Sequence, residues 1–502
     1  MTANDFKYLF IFAGAVLGVL LIAESIRRFF HWSPEATRKI VHMLVGVLVA
    51  ATPFVLDSMW PMVTLGLFFA VVDFIAVKRG FFKGMHGTVR HTYGTVFYPI
   101  SFVILTVTLW NHHKLVLVTA MLIMALSDAA AAIVGERTKR PIVLHLGPEK
   151  KTVQGSATMF TVTLLLVTAS FWVARHIRVL DLSVSQIVWI AVAVAMIAMA
   201  SEMISAWGSD NLSVPLSSAF ALYYLLNEPW SQALMFFFGM ALAAGMGVLS
   251  YRLRFLNGGG SVALFLLGTL VFGAGGWKFA LPILTFFLIS SAISKMGRIR
   301  KQKLEQIFEK GSRRDIGQVL ANGGIAGLML LFWYFSKNNF FYVLYIASLA
   351  AVTADTWATE IGVMARGNPR SILTFRPVAM GTSGGISAVG TTGALLGSIV
   401  LSTVGYLCSP HASPRAFGFA EAVVVAFAGL AGSFVDSLLG ATVQAQYQCP
   451  SCGKTTEKRI HCRKQPTLFF RGYRWINNDV VNAFCAVAGV LFVWLAGVMG
   501  IL

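Results

Sequence analysis

The sequence predicts an all-α, polytopic integral membrane protein, and three observations support this fold class. Hydrophobic residues make up 57% of the 502 residues, and charged residues make up only 12%. Soluble domains carry roughly 25% charged residues. The mean hydropathy is +0.72. Long apolar stretches also recur from one end of the chain to the other, and short polar or basic segments separate them.

About sixteen of these apolar stretches are predicted to be transmembrane helices. A helix that crosses a bilayer needs about 20 apolar residues. Several stretches are shorter, so half-helices or re-entrant segments are compatible with the pattern. The stretches are residues 7–24, 40–56, 59–76, 96–110, 115–134, 157–174, 184–204, 212–227, 231–250, 260–273, 278–294, 317–336, 341–363, 386–407, 417–440 and 480–501.

The net charge of +19 is concentrated in a few loops. Residues 295–314 hold eight Lys or Arg against two acids, residues 447–475 hold seven against one, and loops 77–91 and 136–151 are basic too. Alternate threading puts all four loops on one side, which the positive-inside rule makes cytoplasmic, with both termini outside. We expect a bacterial plasma-membrane protein without a cleavable signal. Anionic lipids are the expected partners of this charge, and nucleic acid is not.

Two aspartates lie inside apolar stretches, where an ionisable group is costly and indicates function. Asp128 lies in 115–134 and Asp355 lies in 341–363, and in each case a glycine follows seven residues later, Gly135 and Gly362. Positions i, i+3, i+4 and i+7 share one face of a helix. Each aspartate therefore shares its face with small residues, which leaves room for a ligand or a close neighbouring helix.

The two aspartates belong to a longer series of matched elements, which predicts two tandem, parallel repeats. The predicted domains are residues 1–230 and 231–502. Inverted repeats would have placed the second set of polar loops outside. An alternative is that the small and polar residues only pack helices together. The matched pairs are Arg38-Lys39 with Arg314, Asp128 with Asp355, the Lys151–Ser156 loop with the Gly381–Ser387 loop, Glu202 with Asp436, and Asp210-Asn211 with Asn478-Asp479.

The residue types in this series suit Mg²⁺ and phosphate. Mg²⁺ takes carboxylate and phosphate oxygens, and Lys, Arg and the N–H groups of a Gly/Ser loop bind phosphate. Phosphoryl transfer needs mainly positioning and charge neutralisation. The common phosphate loop, the protein-kinase catalytic loop and the serine-nucleophile elbow are all missing. The candidate Mg²⁺ ligands are Asp128, Glu202, Asp210, Asp355, Glu360, Asp436 and Asp479. The candidate substrate- and nucleotide-binding residues are Arg38, Lys39, Arg90, Lys151, Thr152, Gly155, Ser156, Asn211, Arg314, Gly381, Thr382, Ser383, Asn478 and Asn482.

The N-terminal half resembles the phytol kinase and dolichol kinase group of polyprenol kinases, and the C-terminal half resembles the phytyl-phosphate kinase family of integral membrane proteins. Single motifs are weak, but five occur in order in each half. The first half has Arg38-Lys39-x-x-His42, Arg90 with Tyr93-Gly94-Thr95, Ser127-Asp128 with Gly135, Lys151–Ser156, and Glu202 with Asp210-Asn211. The second half has Gly258–Ser261, Asp355 with Glu360 and Gly362, Gly381–Gly385, Asp436 with Gln444, and Asn478-Asp479 with Asn482.

The resemblance implies a fusion of two consecutive kinases. The first half would phosphorylate phytol or a similar isoprenoid alcohol with a nucleoside triphosphate, for which CTP is the usual donor in the family. The second half would convert the monophosphate to the diphosphate, a precursor in tocopherol biosynthesis. One departure is Gln154, where the first group commonly has Glu. The loss of that acid would alter metal binding or the donor preference, or leave the first half weakly active.

The two reactions make different demands on their sites. An alcohol must lose a proton, so the first site should hold a general base, with Asp128, Asp210 and His42 as candidates. A phosphate acceptor is already anionic, so the second site needs cations more than a base. Asp355, Asp436 and Asp479 are the catalytic candidates there.

A cysteine-rich loop near the C-terminus resembles a zinc knuckle. Cys449 and Cys452 form a Cys-x-x-Cys motif that a glycine follows, and His461 and Cys462 come shortly after. Such a turn lets two thiolates bind one Zn²⁺. A second Cys-x-x-Cys is missing, so the alternatives are a structural zinc site or reduced thiols on a surface loop. The predicted cytoplasmic location argues against disulfides.

Two other functions fit parts of the pattern. A transporter or flippase of a phosphorylated isoprenoid would also have membrane acids and repeats. It would spread polar groups through the membrane depth, whereas here they are predicted to crowd one face. A lipid-phosphate cytidylyltransferase would use the same acids and Mg²⁺, and it differs from a kinase in releasing diphosphate.

Overall fold

The computed structural model describes residues 3–30, 34–79, 92–296, 313–364, 367–409, 417–462 and 465–500. The chain divides into two compact units, Met1–Leu234 and Met235–Leu502. We call them unit 1 and unit 2. The assignment of one activity to each of the predicted domains, 1–230 and 231–502, stays a prediction.

The described residues of unit 1 form helices and one short hairpin, and the last helix that begins in unit 1 continues into unit 2. The helices are α1 (Ala3–Phe30), α2 (Pro34–Val55), α3 (Trp60–Arg79), α4 (Gly94–Leu109), α5 (Lys114–Leu122), α6 (Ala129–Arg137), α7 (Val153–His176), α8 (Val184–Ile204), α9 (Asp210–Asn227) and α10 (Trp230–Arg252). The hairpin strands are β1 (Val143–Leu144) and β2 (Lys151–Thr152), which pair antiparallel.

A π-helical turn, Ile123–Asp128, joins α5 to α6. Such turns are rare and occur frequently at functional sites. Its first three residues are completely buried, and the turn packs against α2, α7 and α9. The turn therefore ends on Asp128 in the interior of unit 1.

The described residues of unit 2 form seven further helices. They are α11 (Gly258–Gly268), which continues as a π-helical turn (Thr269–Ala274), α12 (Gly276–Met296), α13 (Ile316–Ser336), α14 (Phe340–Met364), α15 (Ala388–Cys408), α16 (Phe419–Thr442) and α17 (Asn478–Val498). The hairpin β3 (Arg370–Ser371) and β4 (Gly385–Ile386) precedes α15.

Between α16 and α17 lies a small β module. Its strands are β5 (Gln446–Gln448), β6 (Thr455–Thr456), β7 (Ile460–His461), β8 (Gln465–Pro466) and β9 (Leu468–Arg471). Strand β5 lies between β6 and β9, and β7 pairs with β8. The all-α prediction omitted these strands, because each has only two to four residues.

In both units, the helix that carries the predicted aspartate is the most buried of the candidate membrane spans. Most of the apolar window is inside the protein for Lys114–Arg137 (67%) and for Phe340–Met364 (78%). In α14, the hydroxyls of Tyr342 and Tyr345 donate hydrogen bonds to the carbonyls of Gly405 and Phe279. Burial by neighbouring helices keeps the two aspartates away from lipid, where a charge is most costly.

Twelve helices among the described residues are long and apolar enough to cross a membrane, and three further apolar helices are shorter. Each of the sixteen predicted stretches overlaps a described helix. The mostly helical membrane fold is thus confirmed, while sixteen membrane crossings and two tandem repeats stay predictions.

Candidate functional site

Three predicted acids of unit 1 lie around Lys151. We call Asp128, Lys151, Glu202 and Asp210 the unit 1 cluster. Lys151 Nζ lies 2.7 Å from Glu202 Oε1 and 3.8 Å from Asp210 Oδ2. Asp128 is within electrostatic range of the other three side chains. Hairpin β1–β2 positions Lys151, the end of α8 positions Glu202, and the start of α9 positions Asp210.

The unit 1 cluster contains more acids than bases, with three carboxyls around one ammonium. Burial disfavours the charge on Lys151, but Glu202 and Asp210 outweigh it, so the pKa of Lys151 is raised and the side chain stays protonated. Glu202 Oε2 is buried and accepts no hydrogen bond from the described residues. An unpartnered carboxylate oxygen in an acid-rich site suits a cation such as Mg²⁺.

The Asp210-Asn211 pair begins α9 and is held by the segment before α4. Asn211 Nδ2 donates to Asp210 Oδ1 (3.0 Å) and to the Gly208 carbonyl (3.3 Å). A Cβ atom on Gly94 would lie 2.8 Å from Asn211 Nδ2, and Tyr93 N donates to the Trp207 carbonyl. The Tyr93-Gly94 motif thus packs directly on the Asp210-Asn211 turn.

Helix α2 carries the other polar candidates of unit 1. His42 Nε2 lies 3.2 Å from the Met124 carbonyl in the π-helical turn, and the ring packs edge-on against Tyr98. Lys39 forms an ion pair with Glu136 on α6, a partner that the sequence analysis missed. The Arg38 side chain and Arg90 lie outside the described residues.

Thr152 and Gly155 shape the hairpin that carries Lys151. The Thr152 hydroxyl caps α7 by accepting a hydrogen bond from Gly155 N (3.1 Å). A Cβ on Gly155 would lie 3.1 Å from the Ala131 carbonyl and 3.7 Å from Gly135 Cα. The glycine that follows Asp128 by seven therefore permits a close crossing of α6 and α7. Ser156 is buried in the first turn of α7, and Gln154 accepts a hydrogen bond from Ile142 N across the hairpin.

Unit 2 contains the same set of contacts. Ser387 caps α15 by accepting from Gly390 N (3.1 Å). A Cβ on Gly390 would lie 2.9 Å from the Ala358 carbonyl and 3.6 Å from Gly362 Cα. Ala358 and Gly362 follow Asp355 by three and seven residues, as Ala131 and Gly135 follow Asp128. The residues beside each aspartate thus form a glycine-mediated helix crossing.

Replacement of Gly390 by alanine is expected to destabilise the protein by about 1–3 kcal/mol, because the added methyl group overpacks against the α14 backbone. Gly324 is a matched control, since it also lies in a helix and a Cβ there meets nothing within 4 Å. Gly324→Ala should leave stability unchanged or raise it by up to about 1 kcal/mol. Thermal unfolding of both variants in detergent checks this, and equal stability would contradict the close crossing.

The predicted residues of unit 2 surround a cavity of about 330 Å³, which we call the unit 2 cavity. Polar side chains from six helices and from the loops between them line it. The predicted residues that line it are Arg314, Asp355, Glu360, Gly381, Thr382, Ser383, Asp436, Asn478 and Asn482. Asp479 is not among the lining residues, although its neighbour Asn478 is.

Asp355 and Asp436 form a carboxyl pair in the unit 2 cavity. Their carboxyl groups lie close together, and Asp436 Oδ2 is buried without a hydrogen-bond partner among the described residues. Two carboxylates this close repel each other unless they share a proton or bind a cation. The pair fits the hard oxygen ligands that Mg²⁺ prefers.

Arg314 and Glu360 both line the unit 2 cavity and interact electrostatically. Burial lowers the pKa of the Arg314 guanidinium while Glu360 opposes that change, and arginine remains protonated in either case. Its guanidinium lies 5.5 Å from the centre of the Phe286 ring. Glu360 Oε1 accepts from the Ser294 hydroxyl (2.8 Å). Arg314 is the one cation among the described lining residues, so a bound phosphate would need further positive charge.

The lining side chains that the sequence analysis missed include Ser294, Asn322 and Glu457. The first two are ordinary polar residues in apolar helices and gave no distinctive signal. Glu457 did give one, since it is the single acid between residues 447 and 475, in a strongly basic loop. Its Oε1 accepts hydrogen bonds from Ser383 and Gln444.

The β module brings the four predicted zinc ligands together. The ligand atoms of Cys449, Cys452, His461 and Cys462 all lie within 4.8 Å of one another. His461 Nδ1 lies 3.6 Å from Cys452 Sγ and 3.2 Å from Cys462 Sγ. The cysteines of the described chain are free thiols, so the geometry favours a metal site over a disulfide.

Comparison with known proteins gives one matching family and several relatives. Residues 241–490 match the family described as integral membrane protein DUF92. The chain is 32% identical over 240 residues to Protein PGR of Arabidopsis thaliana, a match covering 44% of this chain and 83% of that protein. It is 31% identical over 210 residues to a Synechocystis protein named phytol kinase, a match covering 41% of this chain and 87% of that protein.

Protein VTE6, chloroplastic, of Arabidopsis thaliana is 26% identical over 233 residues, which cover 45% of this chain and 61% of that protein. No solved structure matches the chain. The resemblance to membrane kinases is thus confirmed at the level of relatives, while a fusion of two kinases stays a prediction. The match over 241–490 and the well-covered relatives above 30% identity show that the chain belongs to the DUF92 family of integral membrane proteins.

Proposed function

We propose that this membrane protein is a bifunctional isoprenoid kinase with one active site in each unit. The unit 1 cluster phosphorylates phytol or a similar isoprenoid alcohol, using CTP or another nucleoside triphosphate. The unit 2 cavity phosphorylates the resulting monophosphate to phytyl diphosphate, a step toward tocopherol. The relative named phytol kinase supports the alcohol substrate.

The observation that carries this proposal is that each unit has its own acid-rich site beside a glycine-mediated helix crossing. Asp128 and Asp355 occupy the same position relative to these crossings. Each lies three residues before the alanine and seven residues before the glycine that the neighbouring helix approaches. A single shared site would not need two sets of acids and two capped loops. Two complete sets support two reactions in sequence.

The carboxyls of each site are suited to hold Mg²⁺, and the loops beside them are suited to phosphate. Asp128, Glu202 and Asp210 are the ligands proposed for unit 1, and Asp355 with Asp436 for unit 2. When bound, Mg²⁺ neutralises phosphate charge. Lys151 and Arg314 add one positive charge to their respective sites. Buried, oriented charges of this kind stabilise a transferring phosphoryl group without reorganisation.

The test is incubation of the purified protein with phytol, Mg²⁺ and each nucleoside triphosphate in turn, with mass detection of every product. The proposal expects phytyl monophosphate, then phytyl diphosphate, with a nucleoside diphosphate released at each step. Release of diphosphate and a nucleotidyl lipid would identify a cytidylyltransferase instead. Transfer of a labelled phosphorylated isoprenoid across vesicles without any phosphorylation would identify a transporter.

His42→Ala is expected to slow the alcohol step by roughly 10²-fold or more, because His42 can serve as its general base. In the structure the Met124 carbonyl accepts a hydrogen bond from His42 Nε2. The monophosphate step should be unaffected. Both rates are measured separately by supplying each substrate, with the exposed His145→Ala as control. Normal alcohol phosphorylation by the variant would remove His42 from the mechanism.

A further inference from the structure

We propose that one Zn²⁺ bound to Cys449, Cys452, His461 and Cys462 holds the loop between them in place, and that this loop positions Glu457 in the unit 2 cavity. We call residues 449–462 the cysteine loop. The zinc site stands on its own geometry. Only the role of Glu457 in the reaction rests on the proposed function.

Two distances within the cluster are close to those of a tetrahedral zinc site. With Zn–S near 2.3 Å and Zn–N near 2.0–2.1 Å, tetrahedral ligands place a sulfur and a nitrogen about 3.6 Å apart. The Cys452 Sγ to His461 Nδ1 distance is 3.6 Å, and the Cys462 Sγ to His461 Nδ1 distance is 3.2 Å. Four ligands without an open position are typical of structural zinc.

The local backbone explains why these residues converge. Cys449 is completely buried after strand β5, and Gly453 N donates back to its carbonyl at 2.9 Å. Gly453 has a positive φ of 68°, which the turn after Cys452 requires and which glycine adopts without strain. Strand β7 then returns His461, and Cys462 follows directly. The turn and the returning strand thus bring both ends of the loop to one point.

Glu457 connects the cysteine loop to the unit 2 cavity. It directly follows strand β6, and its Oε1 accepts hydrogen bonds from Ser383 Oγ (2.8 Å) and Gln444 Nε2 (2.9 Å). Ser383 belongs to the Gly381–Gly385 loop, and all three side chains line the cavity. Glu457 is therefore a positioning residue that ties the cysteine loop to the predicted phosphate-binding loop.

Strand β6 pairs with β5, and Cys449 N and Thr467 N donate to the Lys454 and Arg459 carbonyls, so a few hydrogen bonds hold the loop and zinc would add to them. The eight residues between Cys452 and His461 contain the two-residue strand β6 and the first residue of β7, and short β segments are marginal in water without further support. Metal ligation closes the loop at both ends, and the binding free energy of a structural metal is folding free energy. Without zinc, we expect the loop to open and Glu457 to leave Ser383.

The first test is the zinc content of the purified protein, measured by elemental mass spectrometry. We expect about one zinc per chain, since four protein ligands complete a structural site. Cys452→Ser should lower this content at least tenfold, since loss even of an outer partner costs about 10–100-fold in affinity. Cys408→Ser, which changes a cysteine on α15 outside the cluster, is the matched control and should keep its zinc. Zinc-free wild-type protein would overturn the proposal.

The second test is hydrogen–deuterium exchange with and without a zinc chelator, which does not depend on enzymatic activity. In the wild type, zinc removal should raise exchange in residues 449–462 and also in residues 381–385. In Glu457→Ala, residues 381–385 should exchange faster from the start and should no longer respond to the chelator. A response confined to 449–462 in the wild type would disprove the coupling through Glu457. If the wild-type protein shows these exchange responses but neither kinase activity, the proposed function alone is disproved.

Discussion

Asp128→Asn is expected to abolish monophosphate formation from phytol, with a rate at least about 10²–10³-fold below that of the wild type. The substitution keeps the size of the side chain and removes one of the three carboxyls around Lys151. With one negative charge fewer, the unit 1 cluster holds Mg²⁺ less tightly and loses a candidate general base. Product formation from phytol, followed by mass spectrometry, measures the effect.

The same Asp128→Asn variant should convert added monophosphate to diphosphate at the wild-type rate. This second substrate is the internal control for folding. Asp181→Asn is a further control, because Asp181 is exposed in the loop between α7 and α8. If Asp128→Asn loses both steps equally while Asp181→Asn keeps them, two independent active sites do not exist.

Asp355→Asn is expected to make phytyl monophosphate accumulate. Asp355 and Asp436 lie close together in the unit 2 cavity, and an amide at position 355 relieves the repulsion between two carboxylates while weakening a cation site. The variant should therefore fold at least as well as the wild type and still lose the second step, by roughly 10²–10³-fold. Time courses from phytol would show the monophosphate rising without the diphosphate.

The reciprocal design sharpens this second prediction. Asp128→Asn and Asp355→Asn are each other's controls, because each should block one step and spare the other. Thermal unfolding distinguishes a lost cation site from a lost fold, since we expect no lower stability for Asp355→Asn. Normal diphosphate formation by Asp355→Asn would show that the carboxyl pair has no part in the reaction.

Local patterns in the sequence predicted the helices and the aspartate positions, because both follow from periodicity within one segment. The spacing of seven between Asp355 and Gly362 predicted a narrow helix face, and Gly390 does approach that face closely. The length of the apolar stretches was enough to predict sixteen segments, and each of them overlaps a described helix. The number that cross the membrane does not follow from apolar length, because short helices such as Gly94–Leu109 can be buried in protein.

Contacts between distant segments were not predictable in the same way. Lys39 pairs with Glu136 across 97 positions of the chain, and Ser383 bonds to Glu457 across 74. Lys39 and Ser383 were candidates from the sequence and Glu457 is a lone acid in its loop, but only the fold shows which partner each of them meets. The short hairpins that present Lys151 and Gly385 were likewise missed, because a two-residue strand has no alternating pattern to detect.

The π-helical turn before Asp128 has a consequence for how this site tolerates change. In an α-helix each residue is rotated by about 100° around the helix axis relative to the residue before it. A π-helical turn contains one residue more than an α-helical turn. Segment α5 packs against α2 and α9, whereas α6 packs mainly against α7. Deletion of a single residue between Ile123 and Asp128 would restore an ordinary helix and rotate Asp128 to a different direction, with every candidate catalytic side chain still present. The number of residues in this helix, as well as its composition, is therefore under constraint. Single-residue deletions here should be tolerated far less than substitutions.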